Sequence, residues 1–174
     1  MKFPPEHYPN PGVQHTRAVV ALTVTTMCLE LFQPAAGSAM EKHMAKIRRW
    51  TDTCAEKTKG KRLSAGAKRD LERCCAKLTP HIVTAETPED AKFRMWTALV
   101  WAAWIFVLDV RNTCPVYSAR REGQCWRYLL RVLETLAERV RKIEPGVDEV
   151  GTAIYEEAAW ALEGVDEVPL KEAA

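Results

Sequence analysis

The chain has 174 residues, of which 47% are hydrophobic and 28% are charged, so it is long enough to bury a core as one ordinary globular domain. Its formal net charge of +2 excludes an overall field that would draw it to nucleic acid or to a membrane. The charge is unevenly distributed, since residues 41–77 carry twelve Lys/Arg against five Asp/Glu and residues 134–174 carry four against eleven. We expect either that these segments neutralise each other or that the basic one binds an anionic partner.

Six cysteines are present, and the N-terminal residues lack the apolar core of a signal peptide. Without export the thiols stay reduced, and most of them fall on predicted apolar helix faces, where a free cysteine acts as a small hydrophobic residue. We therefore expect a cytoplasmic protein with buried thiols.

Residues 1–12 contain four prolines and are predicted to form an extended arm before a helical domain at 13–164. The first helix is predicted to begin near Thr16 and to end before Pro34. Its apolar residues recur at intervals of three and four, which favours a helix, although its many Val and Thr residues also suit a strand.

Ser38 and Glu41 form a capping-box pattern that marks the start of a second helix. Gly60 ends this helix, Ser64 caps a third, and Pro80 is predicted to end the third. We expect these two helices to form a hairpin with a basic tip. The second helix carries a heptad-like apolar seam of Met40, Met44, Ile47, Thr51 and Cys54.

An uncharged stretch of fourteen residues runs from Met95 to Leu108. As a helix it would reach about 21 Å, whereas a bilayer core needs about 30 Å, so we expect no membrane span. A helix that is apolar on every side must then be buried in protein. The cap at Thr87 and the stop at Pro115 bracket it. The fold class is therefore predicted to be all-α, a single-domain bundle of five to six helices around a central apolar helix at about 88–112.

The fifth helix is predicted to begin between Ser118 and Gln124 and to end at Ile143, the sixth covers about 148–162, and residues 165–174 form an acidic tail. The fifth helix has a second heptad-like seam, consisting of Trp126, Leu130, Leu133, Ala137 and Val140. The two seams suggest a homodimer.

Motifs for catalysis and cofactors are missing from the sequence. It has no paired Cys/His spacing for zinc, no nucleophile elbow and no phosphate-binding loop, so we predict no cofactor and no resident metal. One alternative is a metal-dependent all-α hydrolase acting on a nucleotide or phosphate ester. It requires Glu134 and Glu138 to face Glu156 and Glu157 across a cleft, where they could hold a divalent ion.

The leading hypothesis is a non-catalytic helical interaction protein that binds an anionic partner through the basic hairpin at about 42–73. The partner would be another protein, a second copy of the chain, or a polyanion such as nucleic acid bound without sequence specificity. The candidate contact residues cluster near the tip of the hairpin and are Lys57, Lys59, Lys61, Arg62, Lys68 and Arg69.

Overall fold

The computed structural model describes residues 11–57, 61–63, 65–82, 87–113, 120–161 and 167–169. Within these ranges the chain forms six helices, α1 (Pro11–Leu31), α2 (Ala39–Lys57), α3 (Ala65–Ile82), α4 (Pro88–Thr113), α5 (Glu122–Ile143) and α6 (Val147–Ala161), with two short strands, β1 (Lys61–Leu63) and β2 (Glu167–Pro169). The predicted all-α bundle around a central apolar helix is confirmed.

Helix α4 lies at the centre, packed against α1, α5 and α6 and touching α3. Thirteen of its residues are buried, among them Trp96, Ile105 and Val107. It is long and apolar enough to cross a membrane, and 72% of its most apolar 18-residue window is buried inside the fold. The neighbours that enclose this helix therefore come from the same chain.

Aromatic side chains of α4 contact two of its neighbours. Trp96 packs against Phe32 at 5.1 Å and against Phe93 at 5.8 Å between ring centroids, next to α1. On the side of α6, Trp101 donates a hydrogen bond from Nε1 to Thr152 Oγ1 at 3.2 Å. The tryptophans of α4 thus belong to a packed aromatic core.

Helix α1 starts earlier than predicted, at Pro11 rather than near Thr16, so the predicted arm loses its last two residues. Proline suits the first turn of a helix, because the backbone N–H that it lacks would have no partner there. The rest of the arm, 1–10, lies outside the described residues. The threonines that also suited a strand are accommodated, since Thr23 and Thr25 donate to the carbonyl oxygens of the residues four positions earlier.

The caps predicted for α2 and α4 are present. Ser38 Oγ accepts from the amide of Glu41 at 3.2 Å, and Thr87 Oγ1 accepts from the amide of Asp90 at 3.2 Å. The Glu41 carboxylate reaches back one residue further than a capping box requires and accepts from Gly37 N.

Helix α3 continues past Pro80 to Ile82, so the predicted stop is wrong. The backbone bond that Pro80 cannot donate falls in the last turn, where losing one bond costs less than in the middle of a helix. Helix α3 packs against α6, whereas α2 packs against α1 and α5. The predicted hairpin is thus opened, because its two helices lie against different partners.

Two short segments, for which the sequence predicts no strand, pair as β-strands in the structure. Strands β1 and β2 form an antiparallel ladder with Arg62 opposite Val168 and Leu63 opposite Glu167. The basic connection after α2 thereby meets part of the predicted acidic tail. The charged side chains of these strands lie outside those that the structure describes, so the expected neutralisation stays a prediction.

Both heptad-like seams are used inside the chain. Met44, Ile47 and Cys54 of α2 are buried, as are Trp126 and Leu133 of α5. These seams therefore give no argument for a homodimer.

Candidate anion-binding surface

Three contacts set the alignment of α2 and α5. The thiols of Cys54 and Cys125 are hydrogen-bonded, the ring of Trp50 stacks on Tyr128, and Arg139 lies close enough to His43 to act on its titration. Going along α2 from His43 to Cys54, the partner residues on α5 run backwards from Arg139 to Cys125. The two helices are therefore antiparallel.

The outer side of this pair carries six exposed cations. Each of them lies within about 100° of the direction of Trp50 on α2 or of Tyr128 on α5, at about 100° per residue. They are Lys42, Lys46 and Arg49 on α2, and Arg131, Arg139 and Lys142 on α5. We call this set, with His43, Trp50 and Tyr128, the α2–α5 basic face. The exposed Arg127 also lies at this limit of about 100° from Tyr128, but it interacts with another residue and is not counted with the six.

Acidic side chains are sparse on this face. Glu138 lies about 80° from Tyr128 around α5, and Glu134 and Glu56 are about 120° from the aromatic residue of their own helix. Some cations elsewhere are paired, such as Lys77 with Glu157 at 3.2 Å and Arg94 with Glu144 at 3.2 Å. None of the six cations of the face forms an ion pair with another residue that the structure describes.

The half-buried His43 reports the sign of the potential at this face. Its pKa is lowered from 6.5, first by burial and then by the positive charges of Arg139 and Lys46. Neighbouring cations from both helices disfavour a further positive charge at the imidazole. The same cations would stabilise a bound anion.

Five of the six predicted contact residues belong to described elements, which are α2, β1 and α3. Lys57 is the last residue of α2, and Lys61 and Arg62 belong to β1, opposite Pro169 and Val168. Lys68 and Arg69 are exposed near the start of α3, beside Asp70 and Glu72. Lys59 lies outside the described residues. The side chains of Lys57, Lys61 and Arg62 also lie outside those that the structure describes, so a shared surface for these six residues stays a prediction.

The carboxylates of the hydrolase hypothesis do not converge. Glu134, Glu138 and Glu156 are exposed, and the half-buried Glu157 is paired with Lys77 of α3. Within the described ranges no group of three His, Cys, Asp or Glu side chains could hold a metal ion. The geometry therefore gives the metal-dependent hydrolase no support.

A cleft of about 180 Å³ lies between α1 and α2, lined in part by Phe32, Met44 and Arg48. Pockets for small molecules usually measure about 300–1,000 Å³. The cleft is too small to argue for a drug-sized ligand.

Sequence reasoning missed the contribution of α5 to the basic face. A helical projection of 122–143 would have placed Tyr128, Arg131 and Arg139 on one side. It would not have shown that α2 lies next to that side, because the two helices are separated by two others in the sequence.

Comparison of the chain with protein-family models, with curated proteins and with solved structures finds no match. The assignment of function therefore rests on the residues and their geometry.

Proposed function

We propose that this protein is a non-catalytic interaction protein that binds an anionic partner through the basic segment 42–73, with the contact surface centred on α2 and completed by α5. The observation that supports this proposal most directly is the α2–α5 basic face, whose six cations have no ion-pair partner among the described residues. A cluster of exposed like charges is mutually repulsive, and an anion would relieve that repulsion.

The cations that α2 contributes belong to the basic segment of the sequence, whereas those of α5 lie outside that segment. Lys42, Lys46 and Arg49 belong to the basic segment itself, while Arg131, Arg139 and Lys142 enlarge the positive area from a distant part of the chain. Several phosphates or carboxylates could be contacted at once, and such contacts weaken as salt is added.

Paired charge reversals test which basic surface binds. In the first variant, Lys46→Glu and Arg131→Glu change the α2–α5 basic face. In the matched control, Lys68→Glu and Arg69→Glu change the exposed start of α3 by the same net charge. Binding to heparin and to oligonucleotides is measured by fluorescence anisotropy at low and at physiological salt.

We expect the first variant to lose about tenfold or more in affinity for every polyanion, with a shallower dependence on salt concentration, and the control to lose less. A larger loss in the control than in the first variant would indicate that the anion binds at the predicted hairpin tip instead. Unchanged binding in both variants would overturn the proposal.

Self-association is a separate proposal about the partner, since a second copy could bring its acidic C-terminal quarter to the basic face. Sedimentation at high protein concentration tests it. A single species of 19.7 kDa would reject a homodimer.

A further inference from the structure

The α2–α5 basic face also displays an aromatic pair. The ring centroids of Trp50 and Tyr128 are 4.6 Å apart, with an angle of 22° between the ring planes. Trp50 is half-buried, while Tyr128 is 36% exposed and is one of two large hydrophobic residues with this much exposure among the described side chains. A large ring thus faces solvent at one end of a basic surface, because all six cations lie on the same side of the pair along the two helices.

Polar neighbours hold this aromatic pair in place. The guanidinium of Arg49 lies 5.2 Å from the ring centroid of Trp50, a cation–π distance, and Gln124 Nε2 donates to the Tyr128 hydroxyl at 3.4 Å. A ring that is already oriented loses little conformational entropy when a ligand stacks on it.

Trp50 covers the seam between α2 and α5, and this role explains its position. It does not explain why the ring of Tyr128 is exposed to solvent. The buried thiols of Cys54 and Cys125 lie one turn along the seam. A smaller side chain at 128 would leave the cations unchanged, so attraction of a general polyanion does not require an open ring at this place.

Among polyanions, a single nucleic-acid strand combines regularly spaced phosphates with free aromatic faces. Duplex bases are already stacked, and heparin or an acidic peptide presents charge without bases. Proteins that bind single strands combine a basic groove with aromatic side chains on which bases stack. The residues from Gln124 to Lys142 extend this surface by about 27 Å along α5, enough for several nucleotides.

We propose, on the basis of the proposed function, that the anionic partner is a single-stranded nucleic acid, with a base stacked on Tyr128 and its neighbouring phosphates bound by Lys46, Arg49 and Arg131. The stack of Trp50 and Tyr128 supplies the preference for single strands, and the cations supply most of the affinity. Sequence preference is weak, since every base offers an aromatic face.

The test measures anisotropy of a labelled single strand of about twelve nucleotides, within the usual range of site sizes. Competing ligands are its duplex, heparin and polyglutamate. Three proteins are compared with the wild type, namely Tyr128→Leu, the matched variant Tyr128→Phe, which keeps the ring, and the charge reversal Lys46→Glu with Arg131→Glu. Circular dichroism and thermal unfolding verify the fold of each.

We expect Tyr128→Leu to weaken single-strand binding about tenfold or more, and Tyr128→Phe to leave it nearly unchanged. Binding of heparin and of the duplex should be the same in the wild type and in both Tyr128 variants. The wild type should prefer the single strand to polyglutamate.

Two different failures can be told apart. If charge reversal weakens every ligand while Tyr128→Leu changes none, or changes all of them equally, the single-strand proposal is overturned and the proposed function stands. If charge reversal weakens no ligand, both are overturned. Polyglutamate bound as tightly as the single strand would point to an acidic protein partner and would also reject a nucleic acid.

Discussion

Arg17 of α1 and Asp109 of α4 form a buried ion pair across 92 residues of sequence. Guanidinium Nη1 contacts both carboxylate oxygens, and both side chains are less than 10% exposed. The pair fixes the depth at which the N-terminal helix lies against the central one. Breaking a buried pair costs more than replacing both partners, because the remaining charge stays desolvated.

Asp109→Asn is expected to lower the free energy of unfolding by about 3–5 kcal/mol, since Arg17 would then be buried without its carboxylate. Urea unfolding followed by circular dichroism measures the loss. The matched double variant Arg17→Met with Asp109→Leu should be clearly more stable than the single variant. Equal losses in the two would contradict a specific pairing of these residues.

Stability should also depend on the titration of Asp109. Burial raises the pKa of this carboxyl from 3.8 to about 6, although Arg17 and Thr113 oppose the rise. Between about pH 4 and 6 the folded state then binds more protons than the unfolded chain, so this group contributes most at low pH and its contribution is lost as pH rises through about 6.

The free energy of unfolding is measured for the wild type and for the Arg17→Met and Asp109→Leu double variant as the pH is raised. The wild-type value, taken relative to that of the double variant, should decline between about pH 4 and 6 and level off above about pH 6. A carbon NMR titration of the Asp109 carboxyl gives the midpoint directly. A midpoint at or below about 4 would show that the guanidinium outweighs burial.

Gly151→Ala is expected to destabilise the contact between α4 and α6. A Cβ at position 151 would lie 2.6 Å from Trp101 Cβ and 2.6 Å from its Cδ1. Overpacking of this kind costs about 1–3 kcal/mol, more than the helix preference of alanine returns. Thermal unfolding measures the effect, with Glu156→Ala on the exposed side of α6 as a control that should change little. A Gly151→Ala variant that unfolds at the same temperature as the wild type would argue against this contact.

Three buried cysteines, Cys28, Cys54 and Cys125, should resist alkylation in the folded protein. Burial raises the pKa of Cys28 to about 12, and burial together with the Cys125 thiol raises the pKa of Cys54 further above its usual value. The reactive thiolate is scarce at pH 8 for both. Iodoacetamide labelling with peptide mass spectrometry should show slow modification of Cys28, Cys54 and Cys125 until urea is added. Rapid labelling of the native protein would contradict their burial.

Local patterns account for most of the helices. Ser38 and Thr87 marked helix starts because a side-chain oxygen can satisfy an amide only a few residues away, and such a contact is visible in the sequence. Pro80 was misleading, because the effect of a proline depends on its position within the helix. The pairing of β1 with β2 could not be predicted from segments of three residues, whose register depends on distant backbone.

The basic side chains of α2 were recognised from the charge distribution, but their neighbours on α5 were not. The sequence does not show which of several amphipathic helices lie side by side, since their apolar faces are chemically interchangeable. Side-chain packing made that choice through pairs such as Cys54 with Cys125 and Trp50 with Tyr128.

By itself, the sequence determined that this protein is a helical bundle with a buried central helix and a basic segment. Apolar periodicity, capping residues and the length of the uncharged stretch act over a few turns of chain, so they can be read locally. Only the tertiary structure decided that α2 joins α5 rather than α3, and so placed the cations of both helices on one surface beside an exposed tyrosine. Such a surface arises from contacts between residues about eighty positions apart, and these depend on the packing of the whole core.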